Sequence, residues 1–163
     1  MTRCSLSALL ACGLLASAGV ACAQTPRAAA TAGDWSCWHA AATRYHVNPV
    51  LLFAISHVET DNHSGIAHRN ADGSYDLGVM QINSTWLPTL RRYGITAADL
   101  LEKPCVNVNV GAWILSRTIA KHGLNWRGIG AYNATTPWKQ ARYARKVDAE
   151  LVRLAARSDG GTG

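Results

Sequence analysis

The stretch Asp72-Gly73-Ser74-Tyr75-Asp76-Leu77-Gly78-Val79-Met80-Gln81-Ile82-Asn83-Ser84 decides how this chain folds. It opens on Asp-Gly, a pair that accepts the positive φ of a tight hairpin turn, with short strands predicted on either side. It then sets a carboxylate, Asp76, and two amides, Gln81 and Asn83, among apolar residues. Polar groups in such a run must bond to the backbone or face a cleft.

Upstream, Asn48-Pro49 marks a helix start: a capping Asn, then Pro at the first helical position. The helix runs through Val50-Leu51-Leu52-Phe53-Ala54-Ile55-Ser56-His57-Val58-Glu59. Leu51, Ile55 and Glu59 are spaced i, i+4, i+8 and therefore share one face. That puts a carboxylate on the buried stripe near the helix end, the strangest acidic position in the sequence. Trp35 to Tyr45 predicts an earlier short helix, and Asp61 to Ala71 reads as a polar loop. Downstream, Ser84 is a candidate cap for a helix over Thr85 to Tyr93, and Thr96 for another over Ala97 to Glu102. Pro104 to His122 is amphipathic, and Gly123 supplies its stop. Asn125 to Ala134 predicts a short helix. Thr136-Pro137 opens the last one, which buries Ala144, Val147, Leu151 and Leu154 and turns Lys139, Arg142, Lys146 and Arg153 outward. The expected fold is mainly α: an α+β domain of several helices with one small β-hairpin. Too small to stand alone, the hairpin must lean on the helices, with the cleft where it meets the Glu59 helix.

The chain has 163 residues, of which the first 23 read as an export signal. Arg3 precedes an uncharged Leu- and Ala-rich run, and Ala21-Cys22-Ala23 fits a small-x-small cleavage site. A retained membrane anchor would need roughly 20 apolar residues, and Gly19-Val20 makes a poor lipobox for Cys22. Residues 24–34 read as a disordered leader, 35–157 as one folded domain and 158–163 as a flexible tail. Loss of the signal takes Cys4, Cys12 and Cys22 with it, leaving Cys37 and Cys105. One cysteine pair in an exported protein most simply forms a disulfide, the alternative being two buried thiols. Removing Arg3 also leaves fifteen basic and ten acidic residues. A basic exported protein is drawn to anionic polymers such as cell-wall glycan or to membrane surfaces. No nucleic-acid-binding motif occurs, so nucleic acid is not an expected partner.

Glycosidic cleavage needs a proton donor at the leaving oxygen and a group that stabilises the sugar cation. A carboxyl in an apolar setting holds its proton to higher pH and suits the first task. Glu59 is placed for it, and Asp76 is the candidate for the second. The plain alternatives are a helix-terminal Glu turned to solvent and an Asp bonded to its own turn.

Glu59-Thr60, Gly78-Val79-Met80-Gln81-Ile82-Asn83 and Ala131-Tyr132-Asn133 together resemble the three motifs of soluble lytic transglycosylase domains. The resemblance runs from about Cys37 to Asn133. It is closest to the small disulfide-containing members that accompany secretion, conjugation or pilus systems, whose ends Asp34-Trp35-Ser36-Cys37-Trp38 and Pro104-Cys105 fit. Thr60 and Val79 depart mildly from the usual Ser and Leu. Asn70 to Gly78 with Gln81 to Ser84 is also similar to the animal-type lysozyme hairpin, and Asp76 has no counterpart in many transglycosylases.

The resemblance implies a lysozyme-like domain whose cleft binds peptidoglycan strands of alternating N-acetylglucosamine and N-acetylmuramic acid, in the periplasm or at the cell wall. Components of a secretion, conjugation or pilus apparatus are the implied partners, and no cofactor is needed. Glu59 would be acid and then base in a lytic transglycosylase that closes a 1,6-anhydro ring. A muramidase that uses water with Asp76, or a glycan binder that does not cut, are the alternatives. Met80, Gln81, Asn83, Tyr132 and Asn133 would hold or line the substrate, and Trp86 and Trp126 are candidates for stacking on sugar faces. His57, His63 and His68 lack metal-ligand spacing. His57-Val58-Glu59 with Pro104-Cys105 lacks the second cysteine of a zinc deaminase site. Neither Ser56 nor Ser84 sits in a nucleophile elbow.

Overall fold

A computed structural model describes residues 35–159. The segments assigned to the export signal and the leader lie outside these residues. Helix α1 (Trp35–Tyr45) buries Cys37, Trp38, Ala41 and Ala42, one face at helical spacing. Helix α2 (Pro49–Thr60) begins as the sequence predicts. The Asn48 side chain accepts from the N–H groups of Val50 and Leu51, with Pro49 opening the helix. It ends at Asp61, in the left-handed region with φ 51°.

A three-stranded antiparallel sheet follows, formed by β1 (Ala67–Arg69), β2 (Tyr75–Leu77) and β3 (Ile82–Asn83). Asp72-Gly73 lies in the β1–β2 turn, where Gly73 N–H donates to Asn70 C=O and Gly73 takes φ 83°. Two features differ from the sequence expectation. Strand β1 is the strand expected ahead of the Asp72-Gly73 turn, but its bounds fall inside the stretch read as loop, because all three of its residues are exposed and leave no apolar alternation to detect. Strand β3 is two residues long, too short for any periodicity to show. Gly78 to Gln81 is the turn between β2 and β3, closed by Gln81 N–H on Gly78 C=O at 3.0 Å.

The helix expected from Thr85 to Tyr93 is broken into a 3-10 turn (Ser84–Trp86), a single turn α3 (Leu87–Leu90) and a second 3-10 turn (Arg91–Tyr93). Pro88, which has no N–H to donate, interrupts regular bonding here. Its cap is Asn83, whose side chain accepts from Thr85 N–H, while the Ser84 hydroxyl instead accepts from Tyr75 N–H. Helix α4 (Ala97–Glu102) carries the expected Thr96 cap, completed into a capping box by Asp99. Helix α5 (Pro104–His122) stops at Gly123. Helix α6 (Trp126–Gly130) is shorter than expected and capped by Asn125. Helix α7 (Pro137–Asp159) runs through Ser158 and Asp159 into the segment read as a tail, the rest of which lies outside the described residues.

The core is one cluster in which Trp38, Leu52, Ile55, Val79, Met80, Ile82, Leu100, Val108, Leu115 and Val147 are almost completely buried. Tyr143 and Ala144 join Val147 in the core from α7, whereas Leu151 and Leu154 are only partly buried. A disulfide joins Cys37 of α1 to Cys105 at the start of α5, across 68 positions of sequence. Among the described residues no helix is long and apolar enough to cross a membrane. The result is the expected mainly α architecture, with a small sheet beside the C-terminal part of α2.

Candidate active site

The β2–β3 turn is the keystone of the site, and it is anchored from beneath by Asn107 of α5. The buried Asn107 amide donates to Leu77 C=O at 2.7 Å and Leu100 C=O at 2.9 Å, and its oxygen accepts from Met80 N–H at 2.8 Å. Gly78 has to be glycine here. Its φ is +71°, and a Cβ would lie 2.2 Å from both Leu100 C=O and the Asn107 amide nitrogen. The Thr60 hydroxyl donates to Val79 C=O at 3.0 Å and so ties the end of α2 to the same turn. Glu59 is thereby held at a fixed height over the hairpin.

A cleft of about 820 Å³ opens between hairpin and helices, lined by Glu59, Asp76, Gln81, Asn83, Tyr132 and Asn133 among others. Six of the seven residues expected to act on or hold the substrate therefore meet at one concavity. Met80 does not line it: its side chain is fully buried, packed against Gly111, and only its carbonyl reaches the site wall.

Glu59 is partly buried, and the Tyr143 hydroxyl donates to its Oε1 at 2.6 Å. Burial pushes its pKa up from 4.5 to about 7. The hydrogen bond from Tyr143 pulls the other way, the negative charge of Asp76 adds to the rise, and Asn133 and Lys146 oppose it. Loss of hydration outweighs these bonds because the folded protein replaces water on the carboxylate with few donors. The acid is thus half protonated near neutral pH.

Asp76 sits on β2 opposite Asn83 and His68. Its two oxygens accept from the side-chain amides of Asn70 at 3.0 Å and Asn83 at 2.8 Å. The second Asn83 amide proton goes to the Ser74 hydroxyl, and its oxygen caps the 3-10 turn at Thr85. Asn83 therefore orients Asp76 and has no amide proton left for a ligand. Gln81 takes φ 46°, and its amide donates to Gly78 C=O at 2.8 Å, leaving its oxygen for the cleft. The Tyr132 hydroxyl donates to Met80 C=O at 2.8 Å, and the Tyr132 and Tyr143 rings stack 6.5 Å apart. Burial holds both phenols well above their ordinary pKa, with the charge of Glu59 adding to the effect.

Tyr132 and Asn133 are delivered by a close approach of α6 to α7: a Cβ on Gly130 would lie 2.3 Å from Gln140 C=O. Of the tryptophan candidates, Trp86 lines the cleft, while Trp126 lies on a separate apolar groove with Ile129, Ala144 and Leu151. Sequence reasoning missed Tyr143 and Asn107. Tyr143 sits one position before the expected core residue Ala144, and only the packing of α7 on α2 brings it to Glu59. Among the described residues no cluster of His, Cys, Asp and Glu is arranged to hold a metal ion.

Residues 36–152 match the family described as Transglycosylase SLT domain. The chain is 42% identical over 115 residues to the invasion protein IagB of Salmonella typhi, an alignment covering 68% of this chain and 72% of that protein. It is 35% identical over 130 residues to protein IpgF of Shigella flexneri, covering 77% and 86%. Over 130 residues it is 33% identical to a peptidoglycan-binding-like protein of Escherichia coli O157:H7, covering 73% and 78%.

Proposed function

This chain is a member of the Transglycosylase SLT domain family, and we propose that it is an exported lytic transglycosylase acting on peptidoglycan. The observation that carries the proposal is Glu59, an acid pushed to about 7 by burial and set in a polar cleft. Protonated Glu59 gives its proton to the oxygen between N-acetylmuramic acid and N-acetylglucosamine. The C1–O bond breaks, the leaving chain departs as an alcohol, and the muramic ring becomes cation-like. Ionised Glu59 then takes the proton of the muramic C6 hydroxyl as that oxygen closes on C1. Glu59 regains its proton, a 1,6-anhydro sugar forms, and no water is consumed.

Tyr143 holds Glu59 Oε1 in place, so the other oxygen is directed to the substrate. The Gln81 oxygen and Asn133 are placed to bond acetamido and hydroxyl groups, and Tyr132 supports the turn while presenting its ring to the cleft. Met80 serves from beneath, as packing and as the acceptor for Tyr132. The name of one relative, a peptidoglycan-binding-like protein, supports work on the cell wall, and the motif resemblance suggests a secretion, conjugation or pilus apparatus as the setting. The disulfide supports a periplasmic or other exported location.

A second reading rests on Asp76. A hydrogen-bonded carboxylate in the same cleft suits a muramidase in which Asp76 stabilises or bonds the sugar cation and water completes the reaction. Digestion of purified sacculi followed by mass spectrometry of the products tests both. Anhydro-muramic ends are expected, and Glu59→Gln abolishes their release. Reducing ends that disappear with Asp76→Asn would instead establish the hydrolase. Cutting by Glu59→Gln at the wild-type rate would remove the assignment, and binding of sacculi without release would make the domain a glycan binder.

A further inference from the structure

The cleft does not end at Trp86. A second groove of about 680 Å³ shares Trp86, Ile114, Thr118, Ala131, Ala134 and Thr135 with it, so the two form one channel. Their charges differ sharply. The hairpin end holds three carboxylates, Glu59, Asp72 and Asp76, against a single cation, Lys139. The far groove is lined by Arg117, Lys121 and His122 and by no acidic residue. Neither Arg117 nor Lys121 has a carboxylate partner among the described residues. Arg117 is held by stacking, its guanidinium 5.2 Å from the Trp113 ring, which in turn packs edge-on against Trp86 at 5.2 Å. That cation–π contact positions the guanidinium, a fork of N–H donors whose geometry suits a carboxylate. Lys121 stands one turn further along α5, in the last turn, where the helix end favours a cation.

Resting on the glycan reading above, we propose that this basic groove takes the carboxylates carried by the muramic acid residues of the strand. Those carboxylates belong either to the lactyl group itself or to the peptide attached to it. A neutral polysaccharide would gain nothing from the Arg117–Lys121 end. A muramyl strand is drawn to it and repelled by Asp72 and Asp76, so the charge gradient favours seating a muramic acid at the Arg117–Lys121 end.

The test measures equilibrium binding to the Glu59→Gln protein and to the same protein also carrying Arg117→Gln and Lys121→Gln. Tryptophan fluorescence follows three ligands: peptide-bearing glycan, glycan stripped by an amidase so that only lactyl carboxylates remain, and neutral chitohexaose. The Glu59→Gln protein is expected to prefer peptide-bearing glycan over chitohexaose about fivefold at low salt, as two exposed ion pairs would give. The Arg117→Gln/Lys121→Gln change brings that ratio close to one. The preference for peptide-bearing glycan can come only from carboxylates of the peptide, because there the lactyl carboxyl is an amide; a preference on stripped glycan as well shows that the groove also accepts the lactyl carboxylate that the amidase frees. The same ratio in both proteins, or no preference before the two changes, overturns the inference. Failure to bind all three ligands together with failure to cut sacculi would defeat the glycan reading itself, which is a different result.

Discussion

Glu59 holds the site's two requirements in one side chain: it must be reachable by substrate and yet keep its proton near neutrality. The same burial that makes it an acid makes stability depend on pH. Below pH 4.5 the carboxyl is protonated in folded and unfolded chain alike and contributes no slope. Between 4.5 and about 7 the unfolded chain releases its proton while the folded one retains it, so stability falls as pH rises. Above that window the cost reaches about 3 kcal/mol, since a rise from 4.5 to about 7 costs about 1.4 kcal/mol for each pH unit. Glu59→Gln keeps an oxygen for the Tyr143 hydroxyl and removes the charge. Urea unfolding should find it more stable than wild type by about that amount at pH 8 and equal to it at pH 4. A difference independent of pH would mean that Glu59 is well solvated. Activity should likewise fall as pH rises through about 7, because the first step needs the protonated acid.

At the level of elements, the β2–β3 turn explains why a few residues of sequence carry so much of the site. Gly78 reaches a backbone conformation closed to other residues, Asn107 bonds three buried main-chain groups around it, and Thr60 links it to α2. Asn107→Ala strands Met80 N–H and the carbonyls of Leu77 and Leu100 in the interior. With roughly 1 to 3 kcal/mol for each unsatisfied group, a loss of about 4 kcal/mol is expected by chemical denaturation. Asn107→Asp is the sharper control, since it keeps the shape and the acceptor for Met80 but removes both donors. If Asn107→Asp were as stable as wild type, the two carbonyl bonds would not be holding the turn.

For the molecule as a whole, the cleft is assembled from two parts of the chain. The disulfide closes a loop from Cys37 to Cys105 that contains α2, the sheet and α4, hence Glu59, Asp76 and Gln81. Tyr132, Asn133 and Tyr143 come from the chain beyond it and meet the loop through the Glu59–Tyr143 and Met80–Tyr132 bonds. The crosslink restricts the unfolded chain, and a loop of 68 residues corresponds to about 4 kcal/mol. Replacing both Cys37 and Cys105 by Ser is expected to lower unfolding free energy by that order, measured in urea. An unchanged midpoint would show that packing of α1 on α5 suffices without the bond.

The sequence by itself determined the helices with strong caps and periodicity and the Asp72-Gly73 turn, and it offered the Cys37–Cys105 bond that the structure shows. The helices and the turn depend on neighbours in the chain. It also singled out Glu59, because an acid on an apolar helix face is visible from spacing alone. It did not reveal β3, too short to leave a pattern, or the bounds of β1, whose exposed residues show no alternation; both exist through pairing with β2. Only tertiary structure set Tyr143 against Glu59, put Asn107 beneath the turn and turned Met80 into the core. Each of these meets its partner across 27 or more positions of sequence, a closeness that helix packing creates and local periodicity does not encode.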